Sequence, residues 1–202
     1  MKKLTLKKQT TPHLELEAIT LVERIHNKEL NPVQTETLEV FFKLFEKRKF
    51  RKAYSLLQNL LVELPKNPYL LDYQALTLIQ RKRLFKSRKV VEQNYLYNPS
   101  ILFVKVRYAD LLIQKKQPHL VEELFTLPLD LKKLYPKQTT FLLSDYVAFM
   151  SMAAWYHYSK KEQDQALIYA YMVKNITKSC SSINCLLKKM YRKKRRFRFR
   201  KK

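Results

Sequence analysis

Apolar residues recur along this chain at every third or fourth position, which is the spacing of amphipathic helices rather than of strands. The first such stretch runs from about His13 to Asn27 and follows Pro12, a residue that helix starts tolerate. Beyond Asn31 and Pro32 the pattern returns in paired runs separated by short polar turns. The pattern predicts an all-helical protein in which a leading helix precedes a series of helix pairs.

Prolines and small residues give the helix pairs a common period. Pro65 and Pro99 lie 34 residues apart, and each follows an apolar run. The string from Phe50 to Ala53 places an aromatic residue and a small residue at the start of a second helix. The small residues expected where paired helices cross are Ala53, Ala75, Ser87, Ala109, Ala153, Ala154 and Ala166. A unit of this length, built from two helices and closed by a proline, is typical of the tetratricopeptide repeat.

The segment from Gln34 to Cys180 therefore resembles the tetratricopeptide (TPR) family. Its units would span 34–67, 68–101, a third from 102 and a fourth over 147–180. The third is irregular, because Pro118 opens its second helix and Pro136 follows Pro99 by 37 residues. The resemblance implies an all-α fold, a right-handed α-solenoid of about three to four TPR-like repeats. From the residues alone, a generic antiparallel helix bundle stays open.

This interpretation divides the chain into three parts. Residues 1–33 form a basic N-terminus with the leading helix, and residues 34–180 form the repeats. Residues 181–202 form a capping helix followed by a basic C-terminal arm. A terminal helix of this kind is expected, since the end of a repeat array must cover its apolar face.

The chain contains 0 glycines, where an average protein carries about 7%. Glycine is needed for the tight hairpin turns of sheet proteins and for loops whose backbone approaches a phosphate group. Its absence excludes the dinucleotide fingerprint, the phosphate-binding loop and the glycine-flanked nucleophile of hydrolases. We therefore expect no enzymatic activity and no cofactor.

Candidate catalytic and metal-binding residues are sparse. Cys180 and Cys185 are spaced C-x4-C, which fits neither a zinc site nor a disulfide framework, and we interpret them as free thiols. The four histidines are dispersed: His13, His26, His119 and His157. His119 with Glu122 or Glu123 lacks the further ligands that a metal site requires.

The net charge of +24 is concentrated at the C-terminus. Residues 188–202 include eleven Lys or Arg and no acidic residue. Because these like charges repel one another, we expect an unfolded arm that becomes ordered only when it binds a polyanion. Aromatic rings between arginines suit stacking on unpaired bases, which favours RNA. An anionic lipid surface, another acidic surface and a solvated tail stay open. The predicted nucleic-acid-binding residues are Lys188, Lys189, Tyr191, Arg192, Lys193, Lys194, Arg195, Arg196, Phe197, Arg198, Phe199 and Arg200.

Further basic residues fall at the turns between the two helices of successive repeats. They are Lys47, Arg48, Lys49, Arg51 and Lys52 in the first unit, and Arg81, Lys82, Arg83, Lys86, Arg88 and Lys89 in the second. Because stacked repeats align their turns, these clusters predict a basic stripe along one edge. A solvated loop edge is the other interpretation.

The family resemblance also implies a concave groove that binds a peptide or a helix. Its lining residues in this sequence would be Phe42, Tyr73, Leu76, Phe103 and Arg107. The same apolar residues would also suit an ordinary core.

These features together predict a non-enzymatic TPR-like adaptor that binds a protein partner in its groove and a polyanion, RNA in our interpretation, through its basic arm. The alternative is a pure protein–protein scaffold or a secretion-type chaperone for an acidic client. The sequence has no signal-peptide core and no apolar stretch long enough to span a bilayer, so we expect no transmembrane segment and a cytoplasmic location.

Overall fold

The computed structural model describes residues 4–5, 20–22 and 30–199, with side chains over residues 30–192. Most of this described part is helical. The helices are α1 (Pro32–Glu46), α2 (Phe50–Glu63), α3 (Pro68–Gln80), α4 (Leu84–Tyr97), α5 (Leu102–Gln114), α6 (His119–Leu124), α7 (Leu131–Leu134), α8 (Leu143–Ser159), α9 (Gln163–Ile176) and α10 (Ser181–Phe199). The strands are β1 (Leu4–Thr5), β2 (Thr20–Val22) and β3 (Thr140–Leu142).

The chain forms two compact units. Unit I is His26–Leu111, and unit II combines Met1–Ile25 with Leu112–Lys202. Unit I therefore holds the first two helix pairs and most of α5. Unit II holds the short helices α6 and α7, the pair α8 and α9, and the final helix α10.

Asparagine followed by proline starts the first helix of each pair in unit I. The Asn31 side chain accepts a hydrogen bond from the Gln34 amide at 2.8 Å, and the Gln34 side chain accepts one from the Asn31 amide at 3.0 Å. Asn67 accepts from two amides of the first turn of α3. Asn caps the exposed N–H groups, and proline at the next position has no N–H to satisfy, so these dipeptides fix where α1 and α3 begin.

The core of unit I lies where the paired helices cross. It is built from Leu38, Phe41, Ala53, Leu57, Leu60 and Leu70. Ala53 is fully buried, and the buried Ser87 hydroxyl donates a 2.9 Å hydrogen bond to the Ala75 carbonyl across the second pair. Small side chains let the two backbones approach, which is why alanine or serine recurs at these crossings. The predicted helix–turn–helix units over 34–67 and 68–101 are confirmed.

Unit II repeats this arrangement with α8 and α9. Ala153, Ala154 and Ala166 are all fully buried between them, as the sequence predicts. The third pair is irregular as expected, since the helix after Pro118 has only 6 residues. Helix α10 packs on α8 and α9 with Ile183, Leu186 and Met190 buried.

The leading helix predicted from His13 to Asn27 is wrong at Thr20–Val22, which form β2. This strand pairs antiparallel with β1 and parallel with β3, in the order β1-β2-β3. Thr20 and Val22 are β-branched, and such residues lose side-chain freedom in a helix and favour strands. The remaining residues of the predicted helix lie outside the described part of the chain.

The C-terminal arm also differs from its prediction. Helix α10 continues through the basic segment as far as Phe199, instead of ending before an unfolded arm. Its buried first half supplies the costly helix nucleus, and lysine and arginine then extend a helix readily because both have high helix propensity. Positive charges near a helix C-terminus also interact favourably with the helix dipole. Arg200, Lys201 and Lys202 lie outside the described residues.

Candidate binding surfaces

The predicted groove residues lie on the first helices of successive pairs in unit I. The rings of Phe42 on α1 and Tyr73 on α3 meet edge to face with centroids 5.2 Å apart. Tyr69 on α3 stacks on Phe103 of α5 at 4.8 Å. These contacts join α1 to α3 and α3 to α5, so the aromatic residues form one continuous surface. Phe42 is 40% exposed, and Leu76 is half-buried.

A polar centre interrupts this aromatic surface. The Arg107 guanidinium donates to the Asp72 carboxylate at 3.0 Å, linking α5 to α3. Burial raises the pKa of the Asp72 carboxyl, and the Arg107 charge opposes that shift. The ion pair thus neutralises the cation that the sequence places in the groove.

A second carboxyl, Asp110, lies one turn beyond Arg107 on the same face of α5. Burial raises its pKa to about 7, with the nearby Arg107 charge opposing the rise. One guanidinium therefore serves two carboxyl groups. At neutral pH the Asp110 carboxyl is only partly ionised beside the Asp72–Arg107 pair, although the chain as a whole carries a large positive excess.

Tyr69, Asp72 and Asp110 were not predicted as groove residues from the sequence. The repeat period could have located two of them, since Tyr69 precedes Phe103 by 34 residues and Asp110 follows Leu76 by 34. Residues at equal positions of successive repeats face the same side of the array. Asp72 has no such signal, because its contact with Arg107 depends on the side-chain geometry.

Four turns between paired helices share one backbone conformation. Their central residues have left-handed φ angles of 56° at Arg48, 59° at Lys82, 61° at Lys116 and 68° at Lys161. At the first turn the Arg48 amide donates to the Phe45 carbonyl at 3.0 Å, and the Lys49 amide donates to the Leu44 carbonyl at 2.8 Å. This pair of bonds is the Schellman motif that ends many helices, usually on glycine. Here each left-handed position carries a cation instead.

The turns of the first two pairs form an open basic cleft of about 600 Å³. Its lining residues, which define the turn cleft, are Arg48, Lys49, Phe50, Arg51, Lys52, Arg81 and Arg83. None of the six cations pairs with an acidic side chain among the described residues. Arg81 lies over the Tyr54 ring, with 4.5 Å between its guanidinium carbon and the ring centre. Six of the eleven turn cations singled out in the sequence thus line this cleft, whereas Lys47, Lys82, Lys86, Arg88 and Lys89 do not.

Helix α10 carries the predicted nucleic-acid-binding residues in unit II. Lys188, Arg192 and Tyr191 are exposed, and the Tyr191 hydroxyl lies 2.8 Å from that of Tyr171. The Lys189 ammonium lies 4.8 Å from the centre of the Trp155 ring, which also anchors α10 by donating to Ser182 at 2.8 Å. The segment from Lys193 to Phe199 is helical, and Arg200 lies outside the described residues.

No group of three or more His, Cys, Asp or Glu that could hold a metal occurs among the described residues. Cys180 and Cys185 are both unpaired thiols. His157 stacks on Tyr169 and lies 2.6 Å from a Glu162 carboxylate oxygen, so its ring is held by packing. None of the helices described is both long and apolar enough to cross a membrane.

The described residues form a mainly helical protein of TPR-like helix–turn–helix repeats. Neither the known protein families nor the curated proteins include a match to this sequence. Among solved structures, one titled "MamA RS-1 ArsTM double mutant" aligns with a TM-score of 0.49 and 11% sequence identity. The alignment covers 72% of this chain and 75% of that chain. At this similarity the repeat architecture rests on the helix pairs of the chain itself.

Proposed function

We propose that this protein is a non-enzymatic adaptor that binds a protein segment in the groove of unit I and a polyanion, RNA, through the basic half of α10. The observation that carries the proposal is the partly exposed aromatic surface made by three successive first helices. Apolar rings arranged along a groove suit an amphipathic helix or an extended peptide. A peptide would cover the exposed ring of Phe42, which packing inside the unit leaves accessible.

The polar centre adds a requirement for the bound segment. Because Arg107 already pairs with Asp72, Asp110 is the carboxyl whose charge lacks a full partner. A lysine or arginine on the ligand would stabilise the ionised form of Asp110. The groove should therefore prefer a segment with apolar residues and one cation over an acidic segment.

Selection of peptides from a displayed random library on the full chain tests the groove. We expect the selected peptides to contain apolar residues at helical spacing together with a basic residue. The Phe42→Ala variant should bind them at least about tenfold more weakly, because a buried aromatic contact is worth on the order of 2 kcal/mol. Phe85→Ala removes an equally large ring that is 80% exposed on α4 and serves as the matched control.

Selected peptides that bind both variants as well as the unchanged chain would contradict the groove assignment. Thermal unfolding of each variant separates lost binding from lost folding. Selection of acidic peptides would also contradict it, and would favour the alternative of a chaperone for an acidic client.

The polyanion part is tested with labelled oligouridine and a chain ending at Arg192. This version keeps the buried Met190 and the Tyr171–Tyr191 contact but lacks the eight basic residues from Lys193 onward. We expect the full chain to bind more tightly and to lose affinity more steeply with salt, because each phosphate contact on a single strand contributes about 0.7 to the slope of log K against log salt. Equal affinity and equal slope would favour the pure protein–protein scaffold.

A further inference from the structure

We propose that the turn cleft binds the sugar-phosphate backbone of single-stranded nucleic acid. The cleft lies in unit I, whereas the basic half of α10 belongs to unit II. This site goes beyond the proposed function, because it uses neither the groove nor α10. Each of the three surfaces can therefore fail its test alone.

The shape and charge of the cleft fit a phosphate ligand. Its volume of about 600 Å³ lies within the general range of ligand-binding clefts. Six of its seven lining residues are cations contributed by two successive turns. The nearest acidic residue along the chain, Glu46, ends α1 and does not line the cleft. Neighbouring cations repel one another, and an anionic ligand relieves that repulsion.

Two cations elsewhere in the described chain show what pairing removes. Arg107 pairs with Asp72, and Lys160 donates to Glu122 at 2.8 Å. A paired cation has little charge left for a ligand, whereas the six cations of the cleft have no acidic partner among the described residues. The cations of the cleft are available to bind phosphate oxygens, and arginine can do so with two parallel hydrogen bonds.

Two helix starts add to the positive potential. Residues 50–52, the first turn of α2, line the cleft, and Arg83 is the N-cap of α4. Neither Lys49 nor Arg83 makes a side-chain capping bond, and neither first turn contains an acidic residue. The N–H groups of the first turns are therefore open to an external acceptor such as a phosphate oxygen.

Aromatic side chains favour nucleic acid over an anionic lipid or an acidic protein. Phe50 lines the cleft, and Phe85, two residues after the lining residue Arg83, lies on α4 with 80% of its surface exposed. The guanidinium of Arg88 lies 5.8 Å from the Phe85 ring centre. Rings beside arginines stack on unpaired bases, each stack contributing about 1–3 kcal/mol whatever the base. A lipid headgroup or a carboxylate offers no ring for such stacking.

Binding of labelled oligouridine to the full chain, titrated across salt, tests the site. The double variant Lys49→Gln/Lys52→Gln should bind about tenfold more weakly, and the magnitude of its salt slope should fall by about 1.4 as two phosphate contacts are lost. The matched control Lys133→Gln/Lys137→Gln removes two exposed lysines outside the cleft and should keep the slope. Phe85→Ala should weaken binding about fivefold or more with an unchanged slope, whereas Leu96→Ala, at an exposed position near the end of α4, should have no effect.

A cleft variant that binds oligouridine with the affinity and slope of its control overturns the proposal. Inorganic polyphosphate provides the second arm, because it has the phosphates without the bases. Suppose that polyphosphate competes as well as oligouridine at equal phosphate concentration, and that Phe85→Ala leaves the affinity for oligouridine unchanged. The cleft then recognises only charge, and the assignment to nucleic acid is wrong. Loss of binding only on removing Lys193 onward would leave α10 as the polyanion site and would also overturn the proposal.

Discussion

Single residues in the turns hold an unusual combination of conformation and charge. A left-handed backbone conformation costs a residue with a Cβ atom about 1–2 kcal/mol relative to the right-handed one. Arg48, Lys82 and Lys116 adopt it at intervals of 34 residues, and a fourth cation adopts it at Lys161. The chain contains 0 glycines, so each of these positions carries a cationic residue although glycine would adopt the left-handed conformation without strain.

Replacing one of these residues with glycine should therefore stabilise the fold. We expect Lys82→Gly to raise the free energy of unfolding by about 0.5–1 kcal/mol, since relief of the left-handed strain outweighs the extra chain entropy of glycine. Lys89→Gly removes the same charge from the exposed middle of α4 and should lower it by about 1 kcal/mol. Urea denaturation of both variants measures the difference, and equal destabilisation by both would contradict the role of the turn conformation.

The Asp110 carboxyl makes stability depend on pH. Its pKa is about 7 in the folded chain against an ordinary value of 3.8, so its contribution is fully present below about pH 4 and is lost as the pH rises through 7. Asp110→Asn stays uncharged and should raise the free energy of unfolding at pH 8 by on the order of 4 kcal/mol, with little change at pH 4. Denaturation at both pH values measures this, with the exposed Glu39→Gln as control. A gain of equal size at both pH values would show that charge is not its cause.

At the scale of helices, the crossings depend on small side chains. Ala53 is fully buried between α1 and α2, so Ala53→Leu should lower the free energy of unfolding by about 1–3 kcal/mol through overpacking. Ser55→Leu adds an equally large side chain to the exposed face of α2 and should change it by less than about 0.5 kcal/mol. Thermal and urea unfolding of the pair provide the measurement. Tolerance of leucine at position 53 would mean that the helices are not in close contact there.

The helices were predictable wherever a local signal marks them. Periodic apolar residues, asparagine–proline starts and the 34-residue spacing of Pro65 and Pro99 located the pairs of unit I. The strand at Thr20–Val22 was not predictable, because its partner β3 lies more than a hundred residues away along the chain. Charge repulsion alone predicts an unfolded basic segment. The segment is helical because the buried residues Ile183 and Leu186 form the start of the same helix.

The groove was predictable in part for a related reason. Equal positions in successive repeats identify which residues share a face, as they do for Tyr73 and Arg107. The ion pair of Arg107 with Asp72 and the buried state of Asp110 depend on distances that no spacing rule gives. The sequence predicted a basic stripe along the turns. The volume of the cleft and the absence of acidic partners for its cations could be seen only once the turns were packed together in the structure.

At the scale of the whole molecule, the positive charge is divided between the two units. Unit I carries the turn cleft, and unit II carries the basic half of α10. Like charges that lie close together at a turn or along a helix repel one another and raise the free energy of the folded state, and salt screens that repulsion. The stability of the chain should consequently depend on ionic strength.

This dependence should be visible in α10. Like charges three and four residues apart oppose helix formation, so added salt should increase the helical circular dichroism signal of the full chain. The chain ending at Arg192 lacks most of these pairs and should respond much less. A signal that does not change with salt in either chain would indicate that the helix is stable despite its charge.

The continuity of α10 also has a rotational consequence. Each residue of a helix turns the side chains that follow by about 100°, and the buried anchor at Ile183 and Leu186 fixes where that rotation starts. Inserting one alanine after Tyr191 would rotate every later cation about the helix axis, while the net charge and the buried residues Ile183 and Leu186 stay unchanged. A flexible basic segment would tolerate that insertion. A rigid helix would instead present its charges in a different direction.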